Sequence, residues 1–383
     1  MGKSRTTPES GADGQVVSEA RMLRRQMLAL RADEPHAGSG EFWVHRETVA
    51  GRSSVQVWFQ TRGCTWHRRG ECTMCNYGVG PDATADVMVA RVAAALDDVE
   101  ESDELWVSPS GSLLDEREVP DAALDGILAL LASAPAATIA FETRPETVTA
   151  DRLAKVAFVL AHKQVTVSIG LESSNADVRQ RSYAKSGSDA LYAQAFLALT
   201  DIGFATHANL SFGAPFLSAA ARHADTVRSA RWARSHGATP VVFPLHVKRN
   251  TLLEMLWRQG AYEPPTFGAI VGVLRACRPQ RPGVAWIEPP PAGDFVLASP
   301  SGCAACHDER LTALRSVRST ADVGELDALT TCGCDSADVN LDSPLLDDVA
   351  VASQLDAALA RWGALTVPEP SIDGVRSFSA SQQ

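Results

Sequence analysis

From about Val49 to Val247 the chain alternates two apolar patterns. Short runs rich in β-branched and aromatic residues predict strands over Val55–Gln60, Glu104–Pro109, Ala137–Glu142, Val165–Leu171, Thr206–Phe212 and Val241–Val247. Between them, apolar residues recur at helical spacing and predict helices over Val87–Asp98, Asp121–Ser133, Ala150–Ala161, Ala190–Ile202 and Ala219–His236. Repeated strand–loop–helix units build a parallel sheet, because a parallel neighbour is reached only through a crossover. Six units are too few for a closed eight-stranded barrel, so a partial (β/α)6 barrel or an open sheet is expected. In either, ligands gather at the C-terminal ends of the strands.

The flanks read differently. Val16–Asp33 places Val17, Ala20, Leu23, Met27 and Leu30 near helical spacing and predicts an amphipathic helix, while residues 1–15 and 366–383 have the composition of disordered tails. After Val247 come helices over Thr251–Gln259 and Thr266–Ala276, around a Pro-rich stretch, and then a cysteine-containing tail. The expected organisation is an N-terminal arm and helix (1–45), a barrel (46–300), a Cys-rich extension (301–365) and a disordered tail (366–383).

Composition narrows the function. With 383 residues, 45% of them apolar, the chain can bury a sizeable core. The formal net charge of −11 argues against a protein that wraps nucleic acid, though a local basic patch remains compatible with it. No apolar run reaches the roughly 18 residues of a membrane span, and the polar start lacks a signal-peptide core; a cytoplasmic protein is expected. Eight cysteines in such a chain point to metal ligation in a reducing compartment rather than to disulfides.

Three of those cysteines crowd the loop after the first predicted strand: Gln60-Thr-Arg-Gly-Cys64-Thr-Trp-His-Arg-Arg-Gly-Glu-Cys72-Thr-Met-Cys75-Asn-Tyr-Gly78. Thiolates at short spacing hold iron–sulfur clusters, and three of them on a [4Fe–4S] cube leave one iron open for a substrate or for S-adenosylmethionine (SAM). A structural Cys3His zinc site completed by His67 is the competing reading of the same spacing.

The Cys-x7-Cys-x2-Cys spacing, with Thr-Arg-Gly-Cys before it and Cys-Thr-Met-Cys-Asn-Tyr-Gly after it, resembles the radical SAM subunit of archaeosine synthase and, more distantly, the elongator catalytic-subunit family. Trp106-Val-Ser-Pro-Ser-Gly-Ser112, Phe141-Glu-Thr-Arg-Pro-Glu146, Ser168-Ile-Gly-Leu-Glu-Ser-Ser-Asn175 and Phe212-Gly-Ala-Pro-Phe216 follow in the same order, so the likeness runs from about Val49 to Asp335. It implies a partial TIM-type radical SAM barrel in which Cys64, Cys72 and Cys75 hold a [4Fe–4S] cluster that cleaves SAM reductively. It further implies that Ser110, Gly111 and Ser112 approach the SAM amino group, and that Glu142 and Arg144 meet its ribose or carboxylate. Glu172 is expected at the ribose or the substrate, and Phe212 and Gly213 at the adenine through their backbone groups. For Glu142, Arg144 and Glu172 an internal salt bridge is the plainer alternative. His207 shares a strand face with Asn209, and Lys248 with His246; His207 and Lys248 are catalytic candidates bordering the substrate.

Cys303-Ala-Ala-Cys306-His307 and Cys332-Gly-Cys334 form two half-sites. Four thiolates suit a structural zinc ion or an auxiliary iron–sulfur cluster, with free thiols as the bland reading. The function expected is hydrogen abstraction from a substrate, followed by bond cleavage or rearrangement. The substrate is a small molecule of specialised metabolism or a tRNA base; a non-catalytic zinc-binding interaction protein is the rival class. A reductant such as flavodoxin or ferredoxin, and a partner subunit, are the expected associates.

Overall fold

A computed structural model describes residues 12–32, 42–76, 78, 83–97, 99, 102–289, 295–333 and 345–364. Residues 1–11 and 366–383 of the expected tails lie outside these. Helix α1 (Ala12–Ala32) begins four residues earlier than its apolar pattern suggested.

The sheet opens with a hairpin absent from the expected elements. Strand β1 (Phe42–Val49) pairs antiparallel with β2 (Arg52–Phe59) across Ala50 and Gly51, whose φ angles of 51° and 74° make the tight turn that matches strand twist. Beyond β2, strands β3 (Glu104–Pro109), β4 (Thr138–Thr143), β5 (Gln164–Gly170), β6 (Ala205–Phe212) and β7 (Thr239–Pro244) add in sequence, each parallel to the last. The crossovers are α3 (Ala85–Asp97), α4 (Asp121–Ser133), α5 (Ala150–Val159), α6 (Asp189–Asp201) and α7 (Ala219–Ser235). Ser/Thr residues end several of these loops as helix N-caps: Thr149, Ser188 and Ser218 each accept the N–H of the third helical residue.

The predicted last strand is shorter than expected. Pro244 ends β7, and Val247 and Lys248 belong instead to β8 (Val247–Lys248), which pairs with β10 (Val296–Ala298). Helices α8 (Leu252–Arg258) and α9 (Phe267–Cys277) follow, and β9 (Gly283–Val284) completes an eight-stranded sheet of order β1-β2-β3-β4-β5-β6-β7-β9.

The two faces of this sheet differ in chemistry. Val57, Phe59, Val107, Phe141, Val167, Leu210 and Phe212 face the helices and form the dry core with Val92, Leu128, Val156, Phe196 and Leu274. Alternate positions on the other face are polar: Gln56, Ser108, Glu142, Ser168, Asn209 and Ser211 line a lumen. The first and last strands are not paired, so the barrel is partial. Helix α10 (His307–Thr320) spans the gap. Arg318 on it binds Glu47 of β1 (2.8 Å) and the Val284 carbonyl of β9 (2.9 Å), and its guanidinium lies 5.3 Å from the Trp286 ring centroid. No described helix is long and apolar enough to cross a membrane.

Candidate functional site

Cys64, Cys72 and Cys75 border one cavity of about 280 Å³ at the C-terminal ends of the parallel strands. Cys64 caps the short helix α2 (Thr65–Arg68), and its backbone N–H donates to the Gly78 carbonyl at 3.1 Å. Only glycine fits at 78: a Cβ there would lie 2.4 Å from that of His67 and 2.7 Å from that of Cys64. The loop is clamped from several sides. Thr73 N–H donates to the Tyr183 carbonyl (3.1 Å), Leu252 N–H to the Thr73 carbonyl (3.0 Å), and Asn76 Nδ2 to the Arg249 carbonyl (3.1 Å). Burial pushes the Cys64 thiol up to about 11, with Glu118 adding to the rise, and burial raises Cys72 as well.

Among the described residues, the set of His, Cys, Asp or Glu ligand atoms that converges within 4.8 Å is Cys303, Cys306 and Cys332. The cavity cysteines and His67 do not converge in this way. One zinc ion needs that convergence, whereas a multi-iron cluster is ligated at separate corners and takes a wider triangle. Three soft sulfur donors bordering one cavity suit an iron–sulfur cluster.

Arg144, at the end of β4, is the hub beside Cys64. Its Nη1 donates to Glu118 (2.7 Å) and to Cys64 Sγ (3.4 Å), its Nε to Glu146 (2.8 Å), and its Nη2 to Asp115. Arg144 is thus ion-paired with Asp115, Glu118 and Glu146 while it touches Cys64. Glu118 also accepts the Ser112 N–H (2.6 Å) and the Thr65 N–H, which ties the cysteine loop to the β3 loop. Trp66 lies between two cations, Arg144 at 5.2 Å and Lys185 at 4.9 Å from its ring centroid.

Glu172 follows β5 with φ 63°, a costly conformation for a residue other than glycine. Lys185 Nζ donates to its Oε1 (2.5 Å) and to the Gly170 carbonyl (2.6 Å), and Ser211 donates to Oε2. A Cβ at Gly170 would lie 2.6 Å from Glu172 Oε1 and 2.9 Å from Lys185 Nζ, so a larger residue there would push this ion pair aside. Burial works to lower the Lys185 ammonium, but Glu172, Tyr192 and Cys72 outweigh it and hold the group above its ordinary value. Glu142 differs. No hydrogen bond to its carboxyl is formed among the described residues, and burial, reinforced by Glu172 and opposed by Lys248, pushes it up to about 7. Burial lowers Lys248, which faces Cys75, Glu142 and Glu172.

Ser110, Gly111, Glu142, Arg144, Glu172 and Lys248 thus meet the three cysteines around one cavity. Ser112, Phe212 and Gly213 do not line this cavity. Ser112 is fully buried in hydrogen bonds to Thr143 (2.6 Å) and Glu118. Phe212 points outward into the helix-facing core, because it alternates with the lumen-facing Ser211. Gly213 packs toward Tyr262 and Pro265. His207 borders a second cavity of about 210 Å³ deeper in the lumen; its ring stacks on Trp106 at 6.0 Å, and burial pushes its pKa down to about 4. His246 lies off the strand, with Nε2 donating to the Trp286 carbonyl (2.6 Å) and Nδ1 accepting from Ser299 (3.1 Å). Sequence reasoning missed Lys185, Glu118 and Asp115. The last two sit in Asp115-Glu-Arg-Glu118, a run of charge that reads as a solvated loop.

In the extension, Cys303 Sγ lies 3.5 Å from Cys306 Sγ and 3.4 Å from Cys332 Sγ. Cys334 lies outside the described residues. Three converging sulfurs match part of a tetrahedral ligand set.

No protein-family model matches the chain. It is 30% identical over 301 residues to archaeosine synthase subunit beta of Methanosarcina acetivorans, covering 76% of this chain and 86% of that protein. The chain belongs to the archaeosine synthase subunit beta family. The subunit beta of Thermococcus kodakarensis is 26% identical over 317 residues, or 80% of this chain and 98% of that one. Among solved structures, methylornithine synthase aligns over 93% of both chains at 12% identity, with a TM-score of 0.49.

Proposed function

We propose that the chain is the radical-generating component of an archaeosine-synthase-type enzyme, abstracting hydrogen from its substrate so that a C–N bond breaks. The observation that carries this is the cavity where Cys64, Cys72 and Cys75 meet Ser110, Gly111, Glu142 and Glu172. A [4Fe–4S] cluster with bound SAM would supply the 5′-deoxyadenosyl radical. Cys64, Cys72 and Cys75 would hold the cluster, with Arg144 steadying Cys64. The Ser110–Gly111 backbone would approach the SAM amino group, and the Glu142 carboxyl would take ribose hydroxyls. Glu172, fixed by Lys185, and Lys248 would face the substrate, with His207 below them. Cys303, Cys306 and Cys332 would hold a structural zinc ion, with Cys334 as the natural fourth ligand. The names of the relatives support a partner subunit, and a flavodoxin or ferredoxin would supply the electron.

For the substrate, a lysine-modified 7-deazaguanine in tRNA is the family's reaction. Binding of RNA would call on Arg62, Arg68, Arg69 and Lys248, of which Arg68 and Arg69 are exposed beside the cysteine loop and Lys248 lines the cavity; a free small molecule would need only the cavity. The test is 5′-deoxyadenosine formation by the anaerobically reconstituted, dithionite-reduced protein, beside Cys72→Ala and with iron, sulfide and zinc counted per chain. Product from the wild type alone supports the reading; zinc without iron, and no product from either, sinks it. Stimulation by tRNA but not by the free modified base selects the RNA substrate.

A further inference from the structure

Arg31 stands in the last turn of α1, four residues beyond the buried Met27 and so on the face of the helix that packs inward. Its guanidinium is committed to the cysteine loop. Nη1 donates to the His67 carbonyl (2.5 Å), and Nη2 donates to the carbonyls of Glu71 (3.0 Å), Cys72 (3.1 Å) and Cys75 (2.9 Å). One side chain thus gathers four backbone acceptors, two of them belonging to cavity cysteines. The helix is seated firmly enough to aim it: Leu23 and Met27 are fully buried, and a Cβ at Gly70 would lie 2.2 Å from the Arg24 carbonyl.

We infer that Arg31 is the positioning residue of the cluster loop, fixing its backbone and setting the reduction potential of the cluster that Cys64, Cys72 and Cys75 would hold. The inference rests on the cluster reading proposed above. Two properties of the group separate its effects. The planar fork of donors can serve several carbonyls at once, which a lysine ammonium cannot match. The fixed positive charge, close to Cys72 and Cys75, favours the more negative reduced cluster and so raises its potential.

The experiment uses the full chain, reconstituted anaerobically with iron and sulfide, in wild-type, Arg31→Gln, Arg31→Lys and Arg24→Gln forms. Cluster loss to a chelator is followed by absorbance, and the potential is read by a redox titration monitored by electron paramagnetic resonance. Arg31→Gln is expected to lose its cluster about tenfold faster or more and to be harder to reduce. Arg31→Lys, which keeps the charge and loses the fork, is expected to lose the cluster faster at near wild-type potential. Arg24 donates to the Ala184 carbonyl and pairs with Glu71 from the same helix without touching the cysteine carbonyls, so Arg24→Gln should leave both readings near wild type. Wild-type behaviour of Arg31→Gln overturns the inference, and so does an Arg24→Gln variant that reproduces both effects. If Arg31→Gln does not fold, an unchanged loss rate in Arg31→Lys overturns it alone. A wild type that takes up no iron and sulfide defeats the cluster reading itself, a separate result.

Discussion

Glu142 borders both cavities, together with Gln56, Asn209, Phe243 and Trp286, so it stands where the mouth of the lumen meets its floor. Its folded-state pKa, pushed up to about 7 by burial and by Glu172, exceeds the ordinary 4.5. The folded protein therefore holds this proton more tightly than the unfolded chain, and stability falls as pH rises from about 4.5 to 7. Isosteric Glu142→Gln should remove that slope, up to about 3 kcal/mol, in urea unfolding followed across this range; an unchanged slope would assign the pH dependence elsewhere. At this scale the sequence was legible for the cysteines, because three thiols in one loop have few structural explanations, and for the residues at strand ends such as Glu142 and Glu172 that meet them at the cavity. Lys185, Glu118 and Arg31 act mainly through partners 13 to 53 residues away, which their local sequence does not show.

Among the elements, α8 shows how a small helix can bear on the site. Thr251 is fully buried; it accepts the Glu254 N–H (3.2 Å) and donates to the Lys248 carbonyl (2.7 Å), while Glu254 accepts the Asn250 N–H (2.6 Å). The Thr-x-x-Glu pattern is an N-terminal capping signature, and the second bond ties the helix to the backbone of Lys248 itself. Thr251→Ala should cost about 1–2 kcal/mol in chemical denaturation, and a cost near zero would mean that the cap is replaced by water. Helices were readable from the spacing of their apolar residues, and Ser or Thr caps then fix several of their starts. The parallel strands were readable from their apolar runs. Strand β1 was not: its residues are mostly half-buried, and Arg46 and Glu47 interrupt the pattern. Nor was the break after β7, which follows from Pro244 and the departure of Val247 and Lys248 into another ribbon.

For the whole molecule, the partial barrel depends on α10. The Arg318–Glu47 pair, the bond from Arg318 to the Val284 carbonyl and the contact with Trp286 join edge strands that do not pair with each other, and Ala50 N–H donates to the Arg318 carbonyl (3.1 Å). Arg318→Ala leaves the Glu47 carboxylate half-buried without its partner. It should cost about 2–3 kcal/mol and speed amide exchange at Ala50 and Gly51, the amides that bond to α10; native exchange rates there would show that the seam holds without it.

The clamps on the cysteine loop also set an order of events during biosynthesis. Residues 64–76 leave the ribosome early, yet their backbone partners include Tyr183, Arg249 and Leu252, which emerge much later. A nascent chain that ends before Leu252 has its three thiols but not the scaffold that spaces them. Delivery of the cluster proposed for this loop would therefore follow translation of the barrel, and on that reading iron-starved cells should accumulate a full-length apoprotein rather than arrested fragments.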